Sequence, residues 1–351
     1  MEKFIGLDAH VQSCTVAVMG RTGRGGKEHV VKTQARPLRE LIRSIRGEKH
    51  LCMEEGMLSA WLYETLEPEV EHLVVCLPEP RRGNKNDARD AWKLADDLRC
   101  DRIERPVYKS PRKFRNLREA VRAYETTRKE VGRAKNRLRS CFRERGVAGV
   151  DTEIYDLELF TQWLKKLPPA YRSRAQILAS QLQAMIAAHK EANEWLAHEA
   201  SKVPIVSLLT SAPAIGTIRA AQVVATVLTP HRFRTRQQFW SYCGLAIVTR
   251  SSSDWHFDFE GRKVRTEHVL TRGLNRQRNP VLKEVFKGAA EQVTTQMVKH
   301  PLYADYLRLV EQGTRPSLAR LTIARRIASA VLAMWKTNQR YDPAKHISAN
   351  A

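Results

Sequence analysis

Long apolar runs, paired cysteines and acidic charge are all scarce in this sequence of 351 residues. No apolar run approaches the roughly 18 residues that a transmembrane helix needs, which argues against a membrane protein. The six cysteines form no CxxC pair and stand mostly in apolar segments, so we expect reduced, buried thiols in place of a zinc site or a disulfide framework. Residues 1–6 lead directly into a predicted strand, which is not the pattern of a signal peptide. These features predict a cytoplasmic protein.

Basic charge is what the sequence has in excess. Lysine and arginine total 60 against 38 aspartate and glutamate, which gives a net charge of +22 and a pI near 10.0. Charge informs on partners and not on fold. An excess of this size indicates a polyanionic partner, with nucleic acid as the first candidate. A ribosome-associated or merely basic protein is the alternative that charge alone leaves open.

The first hundred residues alternate short apolar strands with amphipathic helices. Strands are predicted at residues 3–8, 12–19, 29–33, 50–53 and 72–77, and helices from Pro37, near Leu58 and over Asp87–Arg99. Three strands with tight connections predict an antiparallel meander. The full order, βββ-α-β-α-β-α, is that of an RNase H-type fold with a mixed sheet. We therefore predict an α/β domain of this type over residues 1–112.

Four acidic residues fall at the ends of these predicted elements. Asp8 and Glu54 each follow an apolar strand. Asp87 and Asp90 stand three residues apart at the start of a helix, so they share one face. Taken singly, Asp8 is typical of a turn and the helix pair of an N-cap. Four acids in this order, in a basic protein, favour divalent metal ions that act on phosphate.

A long basic helix is predicted after residue 106. Residues 101–150 contain 16 basic and 6 acidic residues, with a near-heptad apolar spacing from Leu117 to Phe142. A second helix is predicted around residues 172–199, so residues 113–200 form a coiled-coil hairpin or a coiled coil between subunits. The basic face is either a solvated surface or one that tracks phosphates, and we favour the second. The candidate contacts are Arg115, Arg118, Arg122, Arg133 and Arg137.

A mostly helical region is predicted for residues 201–340, followed by a loose tail at 341–351. Residues 208–227 resemble a helix-hairpin-helix motif, whose Gly216 turn would bring backbone N–H groups towards phosphate. Three serines then precede a basic stretch. On the residues alone they form a flexible loop, and the sharper alternative is a nucleophile that attacks a phosphodiester while arginines neutralise its charge. The residues concerned are Ser251, Ser252, Ser253, Arg250, Arg272 and Arg276.

Together these motifs resemble the DEDD-type transposases of bacterial insertion sequences, the "one-ten" family, which are bridge-RNA-guided recombinases. The resemblance covers most of the chain. It rests on Phe4-Ile5-Gly6-Leu7-Asp8, Met53-Glu54-Glu55-Gly56, Lys85-Asn86-Asp87-Ala88-Arg89-Asp90-Ala91 and a C-terminal block with Pro213-Ala214-Ile215-Gly216, Tyr242-Cys243-Gly244-Leu245 and Arg250-Ser251-Ser252.

This resemblance implies a RuvC-like tetrad of Asp8, Glu54, Asp87 and Asp90 that binds Mg²⁺. It implies that a serine, Ser252 by its distance from Gly244-Leu245, forms a covalent phosphoserine link to DNA. A structured guide RNA from the element would select donor and target DNA by base pairing. The coiled coil would join protomers into a homodimer or tetramer, in a bacterial, nucleoid-associated setting.

The sequence departs from the family pattern at two places, which leaves alternatives open. Family members usually have a glycine directly after the serine, whereas here the run ends in Ser253-Asp254, so Ser251 and Ser253 remain alternates. Glu54 is followed by Glu55, and only one of the two can point into the site because a strand alternates faces. A Mg²⁺-dependent, RuvC-like junction-resolving nuclease that uses water is the alternative function. A non-catalytic nucleic-acid scaffold is the third.

Overall fold

The computed structural model describes residues 1–78, 87–110, 112–249, 255–265, 271–275 and 277–343. The chain forms two compact units, Met1–Arg115 and Asn116–Ala351. The first unit is a mixed α/β structure and the second is mostly helical. This confirms the α/β-plus-α pattern, while the division at residues 112, 200 and 340 remains a prediction.

The first unit is built on a five-stranded mixed sheet of order β3-β2-β1-β4-β5. Its first three strands are antiparallel, and β1, β4 and β5 are parallel. The elements are β1 (Glu2–Ala9), β2 (Ser13–Gly20), β3 (Lys27–Lys32), α1 (Ala35–Ser44), β4 (Glu48–Glu54), α2 (Ser59–Leu66), β5 (His72–Cys76) and α3 (Asp87–Arg99).

Helices α1 and α2 cover one face of this sheet. Ile5 of β1 and Leu51 of β4 are fully buried there, together with Leu38 of α1 and Leu62 of α2. Each fully buried aliphatic side chain of this kind contributes about 1.5–3 kcal/mol. The prediction that Pro37 opens α1 was wrong by two residues. The helix begins at Ala35, and Pro37 is tolerated because the first-turn N–H groups have no helical partner.

The second unit is predominantly helical. Its first helix, α4, begins at Arg115, which is the last residue of the first unit. The elements are α4 (Arg115–Arg143), α5 (Leu157–Lys165), α6 (Pro169–Ser201), α7 (Pro204–Leu209), α8 (Thr217–Val227), α9 (Arg236–Tyr242), β6 (Ile247–Thr249), β7 (Trp255–Phe257), β8 (Lys263–Arg265), β9 (Thr271–Leu274), α10 (Pro280–Gln296), α11 (Pro301–Glu311) and α12 (Pro316–Thr337). None of the helices in the described ranges is both long and apolar enough to cross a membrane.

The two long helices, α4 and α6, pack antiparallel within one chain. Leu138 and Phe142 of α4 share a buried cluster with Leu182 of α6. Contacts at both ends fix the direction, because Arg174 lies 2.8 Å from Glu144 and Thr127 Oγ1 lies 3.0 Å from His189 Nδ1. Part of the predicted apolar stripe is therefore buried inside the chain. Association between protomers through these helices remains a prediction.

The short strands in the C-terminal part were not predicted from the sequence. Strand β6 pairs antiparallel with β9, and β7 pairs antiparallel with β8. Each has only three or four residues and several carry lysine, arginine or glycine, so the alternation of apolar residues is too short to indicate a strand. Helices α5, α10 and α11 were also not predicted.

The cysteines follow the expectation in part. Cys14, Cys52, Cys76, Cys141 and Cys243 are buried, as predicted, whereas Cys100 is exposed. Burial raises the pKa of Cys243 well above its ordinary value. The thiol of Cys52 donates to Cys76, and this bond together with burial raises the pKa of Cys52. Cys100 is exposed because it follows the last residue of α3, where the chain turns.

Candidate active site

Two of the predicted acids end neighbouring parallel strands. Asp8 is the next-to-last residue of β1, and Glu54 is the last residue of β4. The parallel register pairs Leu7 with Met53, so Asp8 and Glu54 follow side by side at the carboxyl end of the sheet. Leu7 and Met53 are fully buried in the cluster with α1 and α2. Because a strand alternates faces, the two acids point to the opposite face.

Helix α3 covers the face to which these acids point. A Cβ atom added to Gly6 would fall far inside contact distance of the Ala91 carbonyl oxygen, so only glycine lets the helix approach β1 this closely. Ala91 and Ala95 are fully buried at this contact. Gly6 precedes Asp8 by two residues and shares its face, so the start of α3 lies over the strand end that carries Asp8.

The other two predicted acids lie in the first turn of α3. Asp87 is the first residue of the helix, and Asp90 directly precedes Ala91. Asp90 is half-buried and its Oδ2 atom is enclosed by the protein. The side chain of Asp87 lies outside the described part of the structure. The positive end of the helix dipole at this turn favours carboxylates in its vicinity.

His10 is a neighbour of Asp8 that the sequence analysis missed. Its Nε2 atom lies 3.1 Å from Asp8 Oδ2. Asp8 is 7% exposed, whereas the His10 side chain is 33% exposed. A histidine two residues after a strand-ending acid was the available signal. The contact can fix the orientation of the Asp8 carboxylate, as hydrogen bonds to metal-ligating groups do.

Glu55, the alternative to Glu54, is engaged elsewhere. The Lys109 ammonium lies 2.5 Å from Glu55 Oε2, and the two side chains are 15% and 32% exposed. Lys109 also donates to Ser59 Oγ at 3.2 Å, and the Glu55 N–H donates to the carbonyl oxygen of Cys76. The Glu55 carboxylate thus has a cation of its own on the α2 side. Glu54 remains on the face covered by α3.

A second group of side chains that could ligate a metal ion lies at the other end of the same strands. Among the described side chains, Glu2, Glu48 and His50 form the group of three whose ligand atoms all lie within 4.8 Å of one another. Asp8, Glu54 and Asp90 do not meet that distance as a group. Their donor set of carboxylate oxygens nevertheless fits a hard divalent cation, which would offset the repulsion between them.

Two family models match the chain. One, named for the DEDD transposases of IS110 elements and described as "Transposase", matches residues 5–145, which contain all four predicted acids. The other, described as "Transposase IS116/IS110/IS902 family", matches residues 206–297, which contain the three serines. Both segments of the chain are therefore similar to transposases of the IS110 family.

A curated relative of this chain is named "Transposase for insertion sequence element IS1533" and comes from Leptospira borgpetersenii. The two are 24% identical over 173 residues, which are 47% of this chain and 50% of that protein. The chain thus spans about half the length of the curated relative it matches. The DEDD type of the N-terminal match implies the use of divalent metal ions in general terms.

The segment with the three serines lies outside the described residues. Ser251, Ser252, Ser253, Arg250 and Arg276 lie outside the described residues. In the sequence, Arg250 and the three serines stand between β6, which ends at Thr249, and β7, which begins at Trp255, and Arg276 follows β9. Arg272 belongs to β9, and its side chain is not described. The candidate nucleophile therefore stays a prediction from the sequence.

The basic face of α4 carries ion pairs that are weak enough to exchange. Arg122 lies 2.6 Å from Glu119, and Arg133 lies 2.5 Å from Glu130. Exposed pairs of this kind contribute roughly 0–1 kcal/mol, so a phosphate could displace the glutamate at small cost. Arg137 is exposed. Arg115 lies 2.9 Å from Glu64, and Arg118 is half-buried.

Proposed function

We propose that this protein is the transposase of an insertion sequence and that it cuts and rejoins DNA. The observation that carries the proposal is the position of three acids at the same edge and on the same face of the sheet, in a chain that matches both models of the IS110 family. Asp8 and Glu54 stand at the carboxyl ends of adjacent parallel strands. Asp90 lies in the first turn of α3, which packs closely on the same face because residue 6 is glycine. A stable fold has no need for acids gathered in this way, since they repel one another.

Asp8, Glu54, Asp87 and Asp90 would hold a divalent metal ion, which we propose is Mg²⁺. When bound, the ion supplies charge that neutralises a phosphodiester and lowers the pKa of an attacking hydroxyl. The chain itself contributes the rest of the site. His10 orients the Asp8 carboxylate, and Lys109 keeps Glu55 out of the metal site. Gly6 sets the distance between β1 and α3.

The attacking group is proposed to be the hydroxyl of Ser252. In this step the serine Oγ–phosphorus bond forms and the bond between phosphorus and one deoxyribose oxygen breaks. The proton of the hydroxyl passes to a base or to solvent, and the leaving oxygen is protonated in turn. Rejoining is the same exchange in reverse, with a deoxyribose hydroxyl as the attacking group. Arg250, Arg272 and Arg276 are the proposed cations around the phosphate.

A bound structured RNA is proposed to choose donor and target DNA. The excess of basic charge supports a nucleic-acid partner of either kind. Arg115, Arg118, Arg122, Arg133 and Arg137 are the proposed phosphate contacts along α4. A dimer or tetramer, joined through the long helices, would bring the acids of one protomer to the serine of another.

The deciding experiment looks for a covalent protein–DNA adduct. Protein, the element's structured RNA, donor and target DNA and Mg²⁺ are combined, and the products are separated under denaturing conditions. We expect an adduct with the wild type and with Ser251→Ala and Ser253→Ala, and none with Ser252→Ala. Free DNA ends without an adduct, unchanged in Ser252→Ala, would identify a nuclease that uses water. Full recombination by Asp8→Asn would contradict an acid-dependent enzyme altogether.

A further inference from the structure

A basic groove in the second unit has features that the acidic site does not use. Its volume is about 580 Å³, within the range of pockets that hold nucleotide-sized ligands. One face of α12 lines it, together with α9 and the segment 339–342. Its charged lining residues are Arg236, Arg325, Arg326, Arg340 and Asp342. Arginine thus predominates over acid in a groove that no part of the proposed reaction requires.

Trp240 gives this groove an aromatic surface of fixed orientation. Its indole Nε1 donates to the Arg325 carbonyl oxygen at 3.1 Å and to Ser329 Oγ at 3.0 Å. The guanidinium groups of Arg236 and Arg325 lie 5.6 and 6.0 Å from the ring centroid. A rigid aromatic ring flanked by cations is the surface on which bases of single-stranded nucleic acids stack.

The four arginines have two roles. Arg325 donates its Nε–H to the carbonyl oxygen of Leu245 at 2.8 Å and ties α12 to the segment after α9, and Arg326 pairs with Asp305 of α11. Arg236 and Arg340 are exposed. Within the described part of the chain neither of them pairs with a carboxylate. These two cations are therefore available to a phosphate without the loss of an existing ion pair.

The shape of the groove favours a nucleotide over a bare anion. Ala330 and Ala333 are small, and Met334 adds an apolar wall beside Trp240. Inorganic phosphate would contact the arginines and leave this apolar part unfilled. A base with its phosphate would use both.

We propose that the groove holds one nucleotide of a single-stranded nucleic acid, with its base on Trp240 and its phosphate at Arg236 and Arg340. This rests on the proposed function, because an enzyme that cuts and rejoins DNA under an RNA guide handles unpaired strands of both kinds. The groove is a holding site, and its residues take no part in bond exchange.

The test uses the full chain and labelled single-stranded DNA and RNA oligonucleotides, with affinity measured by fluorescence anisotropy at several salt concentrations. Ala333→Trp fills the groove at an exposed position without a change of charge. It is expected to weaken binding about five- to a hundredfold, the range for the loss of one base–aromatic stack, with an unchanged salt dependence. Arg236→Gln combined with Arg340→Gln is expected to weaken binding and also to flatten the salt dependence.

The matched control combines Arg315→Gln with Arg320→Gln near the start of α12. It removes the same number of positive charges as the groove pair, but outside the groove. It is expected to lose less affinity than the groove pair. An oligonucleotide that carries 5-iodouracil should cross-link to the peptide that contains Trp240, and Ala333→Trp should abolish that cross-link. Equal thermal midpoints of all variants would exclude unfolding. A comparison of the affinities for the DNA and the RNA oligonucleotides identifies which nucleic acid supplies the nucleotide.

Three results would overturn the proposal. If Ala333→Trp binds with unchanged affinity and the wild type shows no cross-link at Trp240, the groove is not a nucleotide site. The proposed function still stands in that case if the wild type exchanges DNA strands. Displacement of the oligonucleotide by inorganic phosphate as readily as by uridine monophosphate shows an anion site without base recognition. A wild-type protein that binds neither DNA nor RNA overturns the groove and the proposed function together.

Discussion

Strands β1 and β4 carry acids at both ends of the same face of the sheet, and the two ends differ in kind. At the amino end Glu2 pairs with Glu48, and with His50 they bring their ligand atoms within 4.8 Å. The side chains of Glu2 and Glu48 are 38% and 55% exposed. At the carboxyl end Asp8 is 7% exposed, beside Glu54 and under the first turn of α3.

The burial of an acid is therefore a better indication of a functional site than its distance from other acids. Exposed carboxylates keep their hydration, so a short distance between them costs little. A buried carboxylate loses hydration and must be compensated by a hydrogen bond, a helix dipole or a cation. Asp8 has His10 and the start of α3, and we infer that a divalent metal ion completes the set.

The largest expected effect is that of Asp8→Asn. The change keeps the shape of the side chain and removes its charge, so we expect DNA cleavage to fall by about a hundredfold or more. Thermal unfolding with and without Mg²⁺ supplies a second measurement, since Mg²⁺ should raise the midpoint of the wild type but not of the variant. Glu48→Gln at the amino end is the matched control and should cleave normally. Equal losses in both variants would refute the contrast between the two ends.

The second prediction separates adjacent acids within the carboxyl end. Glu54→Gln should lower cleavage by about a hundredfold, for the reason given for Asp8. Glu55→Gln should retain activity but lower the free energy of unfolding by about 1–3 kcal/mol, because it leaves the half-buried Lys109 without its carboxylate. Cleavage rates and urea unfolding curves measure the two effects. The reverse result would assign the metal ligand to Glu55.

The third prediction concerns the approach of α3 to β1. Gly6→Ala places a methyl group against the Ala91 carbonyl, so the helix must shift. We expect a loss of about 1–3 kcal/mol in the free energy of unfolding, together with reduced cleavage. Gly20→Ala at the end of β2 is the control, since its Cβ would meet open space. If the two variants unfold alike, the close packing of α3 on β1 is incorrect.

The smallest expected effect is that of the histidines. His10→Ala should weaken Mg²⁺ binding and lower cleavage by about tenfold, because the Asp8 carboxylate loses the group that orients it. His50→Ala at the amino end should leave both unchanged. Titration calorimetry with Mg²⁺ tests binding independently of catalysis. If His50→Ala lost metal binding and His10→Ala did not, the metal site would have to be assigned to the amino end of the strands.

Local periodicity accounts for what could be predicted of the fold. The strands of the first unit lie within about two residues of their predicted bounds, because short apolar runs between turn residues need no long-range information. Strands β6–β9 could not be predicted, since each is short and depends on a partner for its stability. The antiparallel packing of α4 on α6 also required the structure, because a heptad stripe fits a partner in the same chain or in another.

The amino-acid sequence alone specified which acids end which elements, because strand ends and helix starts are encoded by neighbouring residues. It also determined that only one of Glu54 and Glu55 can face α3. Tertiary structure decided which one, since Lys109 reaches Glu55 from a distant part of the chain. The tertiary structure also showed that α3 packs directly on Gly6 and that His10 contacts Asp8. These outcomes depend on packing and burial, which no local pattern contains.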